Sequence, residues 1–470
     1  MVKTGQEALL KFDYNNCLAE LVGPEHGLSQ ADLDEVAART PEIAARLAAA
    51  RAAGKLPYRD LPYQAAQLAA IQKSVRAKKG KYANVVVLGI GGSALGTIAV
   101  ASACVHPFHN LVADKKRKGP RLFVMDNVDP DQFAALVDMI DVKKSLFVVI
   151  SKSGETAETM SQFLICRARL MRVLGKKYAA NGVAITDTAK GYLRPIAAQE
   201  GYETFPVPDG VGGRFSVLSP VGLFPLAMIG VKVDRLLAGA AAMDQACLGD
   251  NLRENPAFLG AAIQYLFYRK GKPMSVMMPY SQALRDVADW YRQLWAESLG
   301  KIRLSGGREE FVGPTPIKSL GVTDQHSQVQ LYREGPNDKV FTLIAVEKFA
   351  KDLAIPRAFK GSPGTDYLGG HTMAELMDAE RRATTFALTK SRRPNVTITV
   401  PAVNEFTVGQ LLYLLEVQTS FAGELLGIDT YNQPGVEEGK KATFALMGRA
   451  GYEETQREIE SLKGAADNIV

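Results

Sequence analysis

The sequence predicts an α/β protein of two successive domains, each a mainly parallel sheet flanked by helices. Three observations carry this expectation. Short apolar runs alternate with helical stretches, which is the pattern of βαβ units. The alternation blurs once and then resumes, and 470 residues exceed one ordinary core. The composition, 47% apolar and 23% charged, is that of a globular chain. A net charge of +6, from 56 Lys and Arg against 50 Asp and Glu, is small for this length. No basic run interleaved with aromatics points to nucleic acid.

The first fifty residues read as helical. Ser29 to Asp32 offers a cap ahead of an Ala-rich run that stops at Gly54, so 1–54 is expected as a helical segment packed on the second domain. Apolar strands follow at 85–88, 122–125, 146–150 and 183–186. Gly and Pro recur between 210 and 230, where a boundary is placed, and strands resume at 274–278, 341–346 and 396–400. The expected domains are therefore 55–228 and 229–434, with a helical, charged C-terminal extension over 435–470. Residues 85–105 carry no charge and reach membrane-spanning length. Gly89, Gly91, Gly92 and Gly96, with Ser93 among them, argue instead for a strand, a glycine turn and a buried helix.

Cys17, Cys104, Cys166 and Cys247 lie far apart without a CxxC pair, which is reduced, cytosolic usage. Lys3, Glu7, Lys11 and Asp13 mix charges at the N-terminus, so no secretory signal is read there and a cytoplasmic location is expected. Cys104, His106 and His109 lack a second ligand cluster, and no metal is expected.

Two turns carry chemistry. The apolar run 146–150 passes at once into Ser151-Lys152-Ser153-Gly154-Glu155-Thr156 and then into a helical stretch. A strand that turns through hydroxyl residues into a helix N-terminus presents unpaired N–H groups and the positive end of the helix dipole, which suits phosphate. One hydroxyl would serve merely as a helix cap; Ser151, Ser153 and Thr156 together favour phosphate. The second turn, at Gly89, Gly91 and Ala94, fits the dinucleotide fingerprint G-x-G-x-x-G/A, with Asp126 ending the next strand as a ribose-binding acid would. A nicotinamide-dependent dehydrogenase is therefore an alternative, although the Ser151 to Thr156 turn supplies a phosphate site that such a domain does not need.

Gly89 to Gly96 and Ser151 to Thr156 together resemble the sugar-isomerase (SIS) fold. Four further segments narrow the resemblance: Gly212 to Ser216, Gln293 to Lys301, Thr323 to Ser327, and Gln433 to Lys440. In this order the six resemble the glucose-6-phosphate isomerase family in its shorter bacterial form. The resemblance implies two SIS-type domains, each a three-layer αβα sandwich. It also implies aldose–ketose isomerisation of glucose 6-phosphate and fructose 6-phosphate through a cis-enediol, without metal or nucleotide. By position it implies that Ser151, Lys152, Ser153 and Thr156 hold the phosphate, and that Gly92, Ser93, Gln293 and Gln433 line the sugar. Glu297 would be the C1/C2 base, Arg214 would steady the enediolate, and His326 and Lys440 would open the ring. In the family the histidine comes from the partner subunit, which implies a homodimer with His326 contributed across the interface. Glu155 departs from the family, where Thr is often found.

The residues fit this chemistry on their own terms, each against a plainer reading. Glu297 falls near the end of a helix from Ser281 that Gly300 would stop, and a carboxylate facing a helix C-terminus is a better proton acceptor than one on an open surface. Gln293, four residues earlier, shares its face. Read alone, Glu297 would be a surface carboxylate, Arg214 an ion-pair partner, His326 a structural histidine, and Lys440 a solvated lysine beside Glu437 and Glu438. A non-catalytic SIS-type regulator that binds sugar phosphate is the other alternative, and the joint presence of Glu297, Arg214 and His326 counts against it.

Overall fold

Runs of Val, Leu, Ile and Phe closed by polar residues become buried strands, because only a sheet covered on both faces hides every side chain of such a run. The computed structural model describes residues 8–462, so the outermost parts of the expected terminal segments, 1–7 and 463–470, lie outside the described residues. The strands are β1 (Lys11–Asp13), β2 (Asn84–Leu88), β3 (Arg121–Met125), β4 (Ser145–Ile150), β5 (Gly182–Thr186), β6 (Glu203–Pro206), β7 (Met274–Pro279), β8 (Lys301–Ser305), β9 (Arg308–Val312), β10 (Thr315–Lys318), β11 (Lys339–Lys348) and β12 (Asn395–Ala402). The first sheet is wholly parallel, in the order β3-β2-β4-β5-β6. The second runs β1-β12-β11-β7-β10 and is parallel apart from β1.

Alternate residues of each strand enter different cores, so helices cover both faces. Val85, Val87, Leu146, Val148 and Ile150 face one large cluster, whereas Val86, Leu88, Phe147 and Val149 face a smaller one with Phe133 and Phe163. The large cluster also takes Met277, Ile344 and Ile398 from the second sheet, so a single helical layer is shared by the two sheets. Tyr332 and Leu388 cover the second sheet's far side against Val276 and Phe341. The α/β class expected from the strand–helix alternation is what the chain adopts. Residues 85–105 form a strand, a turn at Gly91–Ser93 and the helix Leu95–Cys104, and among the described residues no helix is long and apolar enough to cross a membrane.

The structure departs from the sequence reading at the sheet margins. The first fifty residues are not all helical: β1 pairs antiparallel with β12 at Phe12 and Ile398. β6, β10 and the β8–β9 hairpin were likewise not expected. These strands are partly exposed, at a sheet edge or in a separate two-stranded hairpin, so they need no apolar run and leave no periodic signal. The helix Gln30–Ala52 does begin at the capping box of Ser29 and Asp32. Its charged face meets residues of the 229–434 region: Arg253 lies 2.9 Å from Asp34, and Arg46 lies 3.0 Å from Glu424.

A polar hub ties this helix to the shared layer. Buried Asp244 accepts from Arg51, from Arg59 at 2.8 Å, from Tyr63 at 2.8 Å and from Tyr413 at 2.5 Å. Burial alone would raise the Asp244 carboxyl, but the hydrogen bonds from Tyr413, Arg59 and Tyr63 hold it below the usual range.

One turn along the helix Glu405–Leu426 the pattern reverses. Glu416 is fully buried and neither carboxyl oxygen has a hydrogen-bond partner. Burial pushes this carboxyl well up, only partly opposed by Arg59. Between the unfolded carboxylate value and this raised one, the folded chain keeps a proton that the unfolded chain has lost, so stability falls as pH rises. Glu416→Met should therefore stabilise the fold by about 1–3 kcal/mol at pH 8 and by less at pH 5. Urea unfolding at the two pH values measures this, and a pH-independent or negative effect would contradict it.

Candidate active site

In an open parallel sheet the crevice forms where neighbouring strands send their connections to opposite sides. In the first sheet that point lies between β2 and β4, and each strand ends there in one of the two chemical turns. After β4, Ser151 is buried and its Oγ accepts from the Gly154 N–H at 2.9 Å. Ser153 Oγ accepts from the Glu155 N–H at 3.1 Å. Thr156 occupies the N-cap position of the helix Ala157–Leu174, yet no side chain caps that helix. The hydroxyls shape the turn and leave the helix N-terminus open, so the helix-cap reading does not describe them. Gly154 has φ +68°, and a Cβ there would lie 2.2 Å from the Leu193 nitrogen. Lys152 reaches across to the Val211 carbonyl at 3.2 Å.

The glycine turn after β2 is explained by close packing. A Cβ on Gly92 would lie 2.1 Å from the Gly213 carbonyl carbon, and one on Gly91, at φ +55°, would lie 3.0 Å from Gln293 Nε2. Ser93 closes this turn. The backbone thus lies directly against the Gly213–Phe215 turn and the helix Arg285–Leu299, and that contact requires glycine.

Arg214 is the centre of the site and only 2% exposed. Its Nε donates to Ser298 Oγ at 2.7 Å, Nη1 to Gln433 Oε1 at 3.0 Å, and Nη2 to the carbonyls of Thr430 at 2.7 Å and Asn432 at 3.1 Å. Nη1 also lies 3.3 Å from Glu297 Oε1. Burial draws the guanidinium down from its ordinary value while Glu297 and Asp429 oppose this. Gln293 Nε2 donates to Glu297 Oε2 at 2.9 Å, and Gln293 Oε1 is buried without a partner. The expected α-helix from Ser281 begins as a 3₁₀ turn, Gln282–Leu284, and ends at Gly300. The helix end repels the Glu297 carboxylate and Arg214 attracts it, and only the first of these is legible in the sequence.

The structure therefore joins Gly92, Arg214, Gln293, Glu297 and Gln433 by direct contact and sets the 151–156 turn on the neighbouring strand. It does not bring His326 or Lys440 into hydrogen-bond contact with them. His326 is exposed just after the turn Thr323–Gln325. Lys440 is exposed on the helix Glu437–Leu446 and pairs with Glu437 at 2.7 Å.

Lys301, which in the sequence only closes the segment from Gln293 and carries no expected role, belongs to this group of residues. Its Nζ donates to the carbonyls of Glu297 and Asn432, both at 2.7 Å. It lines a cavity of about 950 Å³ together with Glu297, Asn432 and Gln433. Burial, and then the Arg214 charge, lower its ammonium to about 8, against the attraction of Asp429 and Glu297. The i+4 spacing from Glu297 was the one available signal.

The chain as a whole is similar to known proteins. A family model described as phosphoglucose isomerase matches residues 67–461. A glucose-6-phosphate isomerase of Carboxydothermus hydrogenoformans is 47% identical over 97% of this chain and 98% of its own length. One from Rubrobacter xylanophilus is 43% identical over 94% of this chain and 98% of its own. Among solved structures, a Thermus thermophilus protein titled hypothetical superposes with a TM-score of 0.83 at 34% identity, covering 94% of this chain and all of its own. A glucose-6-phosphate isomerase from Chlamydia trachomatis does so at 0.72 and 26%, covering 84% of this chain and 76% of its own.

Lys301→Met removes two charge-assisted hydrogen bonds and the cation beside Glu297, and should lower kcat/KM about tenfold or more. The ammonium is charged below pH 8 and neutral above it, so the wild-type rate should decline as pH rises through about 8. The methionine variant should lack that alkaline limb. Identical pH–rate profiles for the two proteins would contradict this.

Proposed function

The chain belongs to the phosphoglucose isomerase family, and from that premise we propose that it interconverts glucose 6-phosphate and fructose 6-phosphate through a cis-enediol. The observation that carries the proposal is the pairing of Glu297 with Arg214 at 3.3 Å, with Gln293 and Gln433 on either side. Moving a carbonyl between C1 and C2 requires a base that takes a proton from one carbon and returns it to the other, and a cation near the enediolate oxygens. Glu297 is that base. Four N–H groups of Arg214 already donate to protein acceptors, so its positive field steadies the enediolate. Gln293 and Gln433, with Gly92 and Ser93, face the sugar hydroxyls. The open helix N-terminus and the hydroxyls of Ser151, Ser153 and Thr156, with Lys152, hold the phosphate at the crevice between β2 and β4.

His326 and Lys440 open the sugar ring. We take His326 to act in the site of a second copy of the chain, which its exposure and its separation from the Glu297 contacts support. The protein is accordingly a homodimer, working in glycolysis and gluconeogenesis. Its four unpaired cysteines suit the cytoplasm. We assign 55–228 and 229–434 to the two SIS domains, each centred on one of the two five-stranded sheets.

Glu297→Gln keeps an oxygen towards Arg214 and, once the Gln293 amide flips to accept from the new NH2 with its unpartnered Oε1, the Gln293 contact as well, while removing basicity. In a coupled assay from fructose 6-phosphate, turnover should fall at least ~10²-fold with KM little changed. Exchange of the C2 hydrogen with deuterated water should vanish in parallel. An active Glu297→Gln enzyme would remove Glu297 from the role of base.

Subunit exchange tests the assembly. Mixing His326→Ala protein with Glu297→Gln protein should restore about a quarter of wild-type sites, because about half the molecules become heterodimers with one intact site each. Verified exchange without recovery above the two parents would place His326 within its own subunit or outside the reaction.

A further inference from the structure

The turn that holds the phosphate in the reading above contains a carboxylate, Glu155, which would repel a dianion if it faced the ligand. It does not stand alone. Arg449 Nη2 lies 2.9 Å from Glu155 Oε1, linking positions 294 residues apart. The guanidinium is held on its own side as well. Its central carbon sits 4.4 Å from the centre of the Phe444 ring and 5.6 Å from that of Tyr452, and these two rings pack edge to face at 5.5 Å. Phe444 belongs to the helix Glu437–Leu446, and Tyr452 immediately precedes the helix Glu453–Ser461. Arg449 therefore staples the C-terminal helical hairpin together before it reaches the phosphate turn. The turn is equally fixed: the Tyr192 N–H donates to the Ser153 carbonyl at 2.8 Å, and Gly154 leaves no room against Leu193.

We infer that Glu155 and Arg449 form a latch that seats the C-terminal hairpin on the phosphate turn and masks the Glu155 charge from the ligand. The inference rests on the isomerase reading and deepens it. Lys440 lies one helical turn before Phe444 and so on the same face of the helix that the latch holds. Glu155 and Arg449 are thus positioning residues, acting through the placement of the hairpin and the local charge. An exposed ion pair is ordinarily weak because two long side chains must be immobilised. Here the aromatic stack already restrains the arginine, which lowers that entropic cost.

The masking predicts an asymmetry that a plain electrostatic nuisance would not show. Inhibition constants for inorganic phosphate, and KM for glucose 6-phosphate, should be measured for wild type, Glu155→Thr, Arg449→Ala and the double variant. Arg449→Ala bares the carboxylate and should raise both about two- to fivefold. In that background Glu155→Thr should bring both back down, whereas in wild type it should change them much less. Equal effects of Glu155→Thr in the two backgrounds would overturn the masking. The seating is read separately, by hydrogen exchange: amides of 437–446 should exchange faster in Glu155→Thr as well as in Arg449→Ala, although residue 155 lies far outside that helix in sequence. Unchanged exchange in Glu155→Thr would overturn the latch. Turnover by the wild-type protein tests the isomerase assignment itself, so equal effects in an active enzyme count against the latch alone.

Discussion

The buried guanidinium of Arg214 is the interaction on which the site depends. Taking a charged group out of water costs several kcal/mol, and the cost is met only if its donors find partners with good geometry. Those partners come from parts of the chain far apart in sequence: Ser298 and Glu297 from one helix, and Thr430, Asn432 and Gln433 from the loop after another. Bringing them onto one cation fixes the carboxylate, the Gln433 amide and the loop in a single step, and Gln293 follows through its bond to Glu297. The 3₁₀ turn that presents Arg214 is in turn pressed against Gly92 so closely that a Cβ would collide with it. The polar groups that meet at this crevice are therefore positioned by one electrostatic demand and one steric one.

The topology explains why these demands meet where they do. With β2 and β4 adjacent and their connections leaving in opposite directions, the first sheet opens a crevice at its C-terminal edge, and the glycine turn and hydroxyl turn are its two lips. The helical layer shared by the two sheets then brings the helix Arg285–Leu299, with Gln293 and Glu297, against the first lip. The glycine turn that resembles a dinucleotide fingerprint is accounted for by this packing.

Charge is arranged locally. The net +6 is spread over the whole chain, but Lys152, Arg214, Lys301 and Arg449 converge around the place where a sugar phosphate would lie. Among the acidic side chains near them, Glu297 and Glu155 are each paired with one of these arginines, and Asp429 adds its charge beside Arg214 and Lys301. Lys301 donates to the carbonyl of Glu297 itself and shares the Asn432 carbonyl with Arg214, so two cations clamp one loop to the end of the helix Arg285–Leu299. Away from the site, Asp244 shows a buried carboxylate served by donors, and Glu416 a buried carboxyl group without partners.

The sequence by itself determined the α/β class, the seven strands built on apolar runs and the two turns that end β2 and β4. These rest on uninterrupted apolar runs, on glycines and on hydroxyls, all of which are local signals. It also marked Glu297, Gln293 and Arg214, because the first two share a helical face and the third sits between a glycine and an aromatic ring. Tertiary structure alone decided the edge strands, whose few partly exposed residues need only a neighbour to pair with. It decided what Glu155 does, since its partner lies almost three hundred residues away. It decided the place of Lys301, an unremarkable lysine until the loop at Asn432 folds over it, and it decided that Arg214 faces Glu297 instead of solvent. Spacing along a chain reports which side chains share a helix or a strand; which charge meets which is settled only when distant segments are packed together and burial forces each one to find a partner.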